Sequence, residues 1–231
     1  MKYNAILFDL DHTLLDTERN NRDALEEIYA VYGFDRHYES FEDFYAVYSE
    51  YNLAIWTAYE NKHVTKNDMM YLRFYTPFNH LNGYTRAKAL EINYDYLDRV
   101  AGKGILIDGA TALLDTLKPH YPMHIISNGF NEVQYKKIDS AGLSPYFDKI
   151  ILSDHIGVNK PDPALFRHAL NEIGMTATEV VMIGDNWNSD ILGAKNSGID
   201  QIWYNPNLNK PAGFVPTYTV ARLSEIPAIL L

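Results

Sequence analysis

Short apolar runs rich in β-branched residues recur along this chain: Ala5–Phe8 near the start, then 124–127, 149–153, Val180–Gly184 and 201–204. Between the later runs, 109–117, 132–141, Pro163–Ile173 and 189–196 carry apolar residues at helical spacing. Strands alternating with helices predict an α/β fold, a Rossmann-like parallel sheet with helices on both faces. Val180-Val181-Met182-Ile183 is almost continuously apolar, as a strand buried on both sides must be. Gly142, Gly174 and Gly198 follow helical segments where C-terminal caps sit. Ligands of such sheets bind at the carboxyl ends of the strands.

The stretch 17–96 breaks the alternation. It has no convincing strand, and Leu25, Ile28, Tyr29 and Tyr32 share one helical face, as do Leu90, Tyr94 and Leu97. A small all-helical unit inserted after the first strand is the expectation, leaving 1–16 and 97–231 as the sheet-bearing core. Gly102-Lys103-Gly104 and the Asp16-Thr17 pair mark the expected hinges, and Asn82-Gly83 a turn within the insert. A loop punctuated by Pro206, Pro211 and Pro216 precedes a last short strand at Tyr218–Val220.

Composition narrows the class. Of 231 residues, 47% are apolar and 22% charged, ordinary for a globular protein. A formal charge of −10 argues against a nucleic-acid polymer or an anionic membrane as partner, though not against a small anionic substrate. With no cysteine, disulfide scaffolds, thiolate zinc sites and cysteine-phosphate chemistry are excluded. The N-terminal apolar run is too short for a signal peptide, so a cytoplasmic location is the default.

The chemistry concentrates where strands end. Asp9 and Asp11 flank Leu10 directly after the first run, with Thr13 beyond them. Paired carboxylates there suit a divalent metal and a transferred phosphoryl group. Asp9, at the strand end, is the candidate nucleophile, since a carboxylate can hold a phosphoryl group as an acyl phosphate. Asp11 is the candidate acid and base, with a pKa expected to be raised by a neighbouring carboxylate. Ser127, with the amides of Asn128 and Gly129, follows a strand and precedes a helix, a place where phosphate oxygens are held. Asp185 after Gly184, and Asp190 beyond it, add acidic groups that could ligate magnesium or orient its waters. The lesser alternative for Asp190 is an acid in a first helical turn, favoured by the helix dipole. Lys160 before Pro161 reads, in isolation, as a solvated lysine. His124 inside an apolar strand reads as a satisfied core histidine, and no P-loop or H-E-x-x-H pattern is present.

Taken in order, the Asp-x-Asp, Ser127, Lys160 and Asp185/Asp190 signals resemble the four motifs of the haloacid dehalogenase-like superfamily of phosphohydrolases. Within it, the stretches 126–130, 158–163 and 52–56 resemble the YjjG/YfnB-type pyrimidine 5′-nucleotidases. The resemblance implies a helical cap formed by the insert and a Mg²⁺ cofactor held by Asp9, Asp185 and Asp190 with the backbone carbonyl of Asp11. It implies Ser127, Asn128 and Lys160 as phosphate-binding groups, Lys160 also acting in catalysis. It points to Asn52, Trp56 and Arg73 as substrate-recognising residues. The substrate expected is a small soluble phosphate ester, foremost a nucleoside 5′-monophosphate, taken by a monomer or homodimer. A sugar-phosphate phosphatase or phosphomutase is the alternative within the superfamily, and a catalytically silent binding protein the alternative outside it. Residues 17–100 also hold 12 of the 18 tyrosines and five of the ten phenylalanines in 84 residues, more rings than a small helical core ordinarily needs.

Overall fold

The computed structural model describes residues 2–60 and 62–231. In chain order it contains β1 (Ala5–Phe8), α1 (Thr17–Val31), α2 (Phe41–Glu60), α3 (Lys66–Phe78), α4 (Arg86–Lys103) and α5 (Ala110–Leu117). These are followed by β2 (Met123–Ser127), α6 (Asn131–Ser140), β3 (Lys149–Leu152), α7 (Ser153–Ile156), α8 (Pro163–Ile173) and β4 (Val180–Gly184). A π-type turn (Trp187–Ile191), α9 (Leu192–Asn196), β5 (Asp200–Tyr204), β6 (Tyr218–Val220) and α10 (Pro227–Leu230) complete the chain.

The strands form one sheet in the order β3-β2-β1-β4-β5-β6, every neighbouring pair parallel. The α/β expectation is met, and the near-continuous apolar strands have the predicted cause. Alternate residues of β1 and β4 enter two different cores. Ile6, Phe8, Val181 and Ile183 pack with Leu113, Leu114 and Leu117 of α5. Ala5, Leu7, Val180 and Met182 pack with Leu165, Phe166 and Ala169 of α8. Both faces are dry, so neither alternates with polar residues. His124 is 5% exposed, but its Nδ1 has no hydrogen-bond partner, so the histidine is a core residue without being a satisfied one.

By their contacts, residues Met1–Thr17 and Gly104–Leu231 form one compact unit and Glu18–Lys103 another. The expected boundary at 96/97 is therefore corrected to 103/104. Helix α4 runs unbroken through Lys103, whose ammonium pairs with Glu27 of α1, as Arg99 does at 2.6 Å. The break comes at Gly104, where φ is +65° and a Cβ would lie 2.5 Å from the carbonyl oxygen of Ser140. Only glycine fits there. The helical unit is held by an aromatic core in which Phe34, Phe44, Phe74, Phe78 and Tyr48 are buried against one another. Most of its rings are thus packing residues. Among the described residues no helix is long and apolar enough to cross a membrane.

Candidate active site

Strand order reverses between β1 and β4, the switch point at which parallel sheets open a crevice at their carboxyl ends. Asp9 follows β1 there, Ser127 ends the adjacent β2, and Asp185 follows β4. The register pairs Phe8 with both Ile125 and Ile183, so the three groups emerge at nearly the same level.

Lys160 joins them from the loop between α7 and α8. It is 3% exposed rather than solvated. Its ammonium donates to Asp9 Oδ1 at 2.5 Å, Asp190 Oδ1 at 2.7 Å and the Ile126 carbonyl at 2.9 Å. An ammonium has three donors, and all three are taken by the protein. None is left for the direct phosphate contact expected of Lys160, and what it offers the site is positive charge beside Asp9. The loop is fastened by Asn128, whose side chain accepts from the Lys160 amide at 2.7 Å and donates to its carbonyl at 3.1 Å. The side chain of Asn128 is thereby spent on the lysine loop and the Gly129 amide on Ser127 Oγ at 3.1 Å, leaving the Ser127 hydroxyl and the Asn128 backbone amide as the phosphate-facing candidates.

Carboxylate oxygens of Asp9, Asp185 and Asp190 lie within 4.8 Å of one another. Asp190 is fully buried, a place no helix-dipole acid needs. It sits in the π-type turn rather than in the regular helix expected from 189. The Asn186 carbonyl accepts from both the Asp190 and Ile191 amides, widening the turn, and the Asn186 amide donates to Asp190 Oδ2 at 3.0 Å. Gly184 makes room: a Cβ on it would come within 2.5 Å of Asp190 Oδ2. Thr13, part of the first motif but given no role from sequence, donates to Asp9 Oδ2 (3.2 Å) and lies 3.1 Å from Asp185 Oδ1. The Trp203 indole N–H holds the Asp185 carbonyl at 2.8 Å.

Three carboxylates face one ammonium, leaving two formal negative charges in a buried place. Burial and the neighbouring carboxylates Asp190 and Asp185 push Asp9 well above the usual carboxylate range, with Lys160 opposing. Burial and Asp190 push Asp185 up to about 6. Such a cluster takes up either protons or a cation. Hard oxygen donors with a divalent charge deficit fit Mg²⁺, which the carboxylates of Asp9, Asp185 and Asp190 would hold.

The Asp11 carboxylate is not among those three, and its pKa moves opposite to expectation. Burial raises it, but the Lys137 ammonium at 2.7 Å from Oδ1 and the Gln134 amide at 2.7 Å from Oδ2 prevail and hold it below the usual range. Gln134 and Lys137 stand three positions apart on α6, hence on one helical face. Helical spacing over 132–141 predicts the helix but marks neither residue; their spacing after the Ser127 turn is the signal that could have found them. Gln134 is fully buried, and its Nε2 also donates to Ser127 Oγ at 2.7 Å. Its side chain occupies the space a Cβ on Gly129 would need, only 2.1 Å from Nε2.

In the helical unit, Arg73 is 3% exposed, with its guanidinium 5.6 Å from the ring centres of both Trp56 and Tyr96 and its Nε without a hydrogen-bond partner. Asn52 is half-buried, its Oδ1 3.5 Å from the Tyr48 hydroxyl. Those residues lie on α2, α3 and α4.

The fold and site define a class, and comparison with known proteins agrees. Residues 3–198 match the family of haloacid dehalogenase-like hydrolases, and the chain belongs to that family. It is 31% identical over 232 residues to the pyrimidine 5′-nucleotidase YjjG of Escherichia coli, covering 100% of this chain and 99% of that protein. It is 33% identical over 229 residues to the pyrimidine 5′-nucleotidase PynA of Streptococcus pneumoniae, covering 98% and 94%. Among solved structures it superposes on magnesium-bound YfnB, a HAD-hydrolase of Bacillus subtilis, with a TM-score of 0.87. That match has 29% identity and covers 100% of this chain and 99% of the other.

Proposed function

We propose that this enzyme is a Mg²⁺-dependent phosphomonoesterase that hydrolyses nucleoside 5′-monophosphates through a phosphorylated Asp9. The observation that carries the reading is the buried group of Asp9, Asp185 and Asp190 around Lys160, short of two positive charges, at the switch point beside Ser127. Bound there, Mg²⁺ would supply charge neutralisation to the carboxylates and the transferring phosphoryl oxygens.

Asp9 attacks phosphorus through the carboxylate oxygen, the P–O bond to the nucleoside breaks, and an acyl phosphate forms. The departing alkoxide takes a proton from Asp11 in its acid form, the minority form while Lys137 and Gln134 hold the carboxylate. A water then attacks phosphorus, giving a proton to Asp11, and the Asp9–phosphorus bond breaks to free inorganic phosphate. The clamp on Asp11 by Lys137 and Gln134 corresponds to the base form that the second step uses. Lys160 offsets negative charge on Asp9 and the Ser127 hydroxyl donates to a phosphoryl oxygen, an electrostatic contribution to the transition state.

Recognition of the nucleoside is assigned to Asn52, Trp56 and Arg73. Two supports stand behind it: the pyrimidine 5′-nucleotidases among the similar proteins, and a buried guanidinium with an unspent donor between aromatic rings. The test is a panel of phosphate esters assayed with Mg²⁺ and again with EDTA. Nucleoside monophosphates, pyrimidine and deoxy forms foremost, are expected to exceed hexose phosphates in kcat/KM, and EDTA to abolish all turnover. A preference for hexose phosphates overturns the nucleotide assignment; turnover surviving EDTA overturns the metal.

A further inference from the structure

Gln134 is an amide where no charge is needed, completely buried, and bonded to two residues of different motifs. Its orientation is fixed by chemistry. Asp11 Oδ2 can only accept, so the atom 2.7 Å from it must be the amide nitrogen. The same nitrogen's second hydrogen goes to Ser127 Oγ, which also accepts from the Gly129 amide at 3.1 Å. A hydroxyl that accepts two hydrogen bonds has its own proton left to donate.

We propose that Gln134 is a positioning residue for the reaction: through one amide nitrogen it turns the Ser127 hydroxyl outward as a donor to the substrate's phosphoryl group and holds Asp11 in register with it. This rests on the roles given above to Asp11 and Ser127. Gln134 thereby couples the group that grips phosphate to the group that moves the proton. The glycine at 129 belongs to the device, because any side chain there would expel the amide. Lys137 fixes the other oxygen of Asp11, so the carboxylate is held at both ends from one helix.

A space-filling role and a bridging role make opposite forecasts for Gln134→Glu. The replacement is isosteric, so packing alone leaves activity near wild type. As a bridge it fails twice, since a carboxylate accepts the Ser127 proton and repels Asp11. We expect kcat/KM on a nucleoside monophosphate to fall about a hundredfold for Gln134→Glu and about tenfold for Gln134→Leu. Both variants should melt within a few degrees of wild type. Gly129→Ala, which keeps the amide but takes its place, should resemble Gln134→Leu and covers the case in which a Gln134 variant does not fold. Adding Gln134→Leu to Ser127→Ala should cost much less than it costs the wild type. Near-wild-type activity of Gln134→Glu, or losses that multiply in the double variant, would overturn the bridge. Asp11→Asn and Ser127→Ala alone are the reference. If both keep wild-type turnover, the roles given to those residues fail and the bridge with them; if both are impaired while Gln134→Glu is not, only the bridge fails.

Discussion

In the sheet-bearing unit, Lys160 is buried with carboxylates 2.5 and 2.7 Å away. In the helical unit, Arg73 is equally buried, but rings of Trp56 and Tyr96 stand 5.6 Å from it. The first cation is saturated: every donor is taken, and the surplus around it is negative. The second is held by ring faces, an interaction of about 2 kcal/mol when desolvated, which consumes no N–H donor. One buried cation therefore tunes the carboxylates of its own unit, while the other leaves its Nε without a hydrogen-bond partner. Under the proposed function the first serves reaction and the second recognition.

The largest blow to that contrast is Asp9→Asn. With the nucleophile gone, turnover of every phosphate ester should fall by at least about a thousandfold while the fold persists, because Lys160 keeps its bond to Asp190. Near-normal activity of the variant would end the covalent mechanism. Asp11→Asn should be more selective. On a nucleotide, whose alkoxide needs a proton, the loss should reach about a hundredfold or more. On p-nitrophenyl phosphate, whose leaving group needs little help, it should be clearly smaller. Equal losses on the two substrates would show that Asp11 holds structure rather than moves a proton.

The surplus negative charge can be tested without substrate. Asp9 and Asp185 have folded-state pKa values above the ordinary 3.8, Asp185 at about 6. The native protein then binds more protons than the unfolded chain, and the metal-free stability contributed by Asp185 is lost as pH rises from about 4 through about 6, with that of Asp9 lost in the same direction. Mg²⁺ competes for the same oxygens. Its stabilisation should thus be small at pH 5 and larger at pH 7.5, which melting curves with Mg²⁺ and with EDTA would reveal. A magnesium shift that does not grow with pH would mean the cation is held elsewhere.

On the recognition side, Trp56→Ala should reduce the preference for nucleotides over hexose phosphates about tenfold and leave p-nitrophenyl phosphate hydrolysis nearly unchanged. If both substrates suffer alike, Trp56 is a packing residue of the aromatic core and Arg73 loses its assigned ligand.

The two regions were also unequally legible in the sequence. Sheet, helices and motif carboxylates could be read because periodicity and strand-end position carry them: Asp9 and Asp185 had to fall beside each other once β1 and β4 were adjacent parallel strands. Contacts that depend on side-chain reach across the fold could not be read. Lys160 read in isolation as solvated and took its role only from the family resemblance; its direct ion pair with Asp9, made from the loop between α7 and α8, was not legible. Asp11 was expected to be electrostatically repelled by a carboxylate, and met Lys137 instead, 126 positions away. In the helical unit an excess of rings was visible, but which rings pack and which flank Arg73 depends on three helices at once.

The smallest expected effect comes from a buried polar group that neither contrasting region uses. His124 lies in β2 with Nδ1 unpartnered, and burial lowers its pKa below the ordinary 6.5. Asp148 opposes the shift while Lys149 and Lys118 add to it. A histidine depressed in the folded state binds fewer protons there than in the unfolded chain. Its contribution is intact at pH well above 6.5 and is lost as pH falls through that value, because the unfolded chain then gains a proton the native strand resists. Replacing it by phenylalanine removes both the unpaired nitrogen and the titration. Melting temperature of His124→Phe relative to wild type should accordingly rise on going from pH 8 to pH 5.5, while kcat/KM on nucleotides stays the same. An activity loss at unchanged stability would move His124 into the site. A stability difference independent of pH would mean that the buried ring is charged or neutral in both states alike.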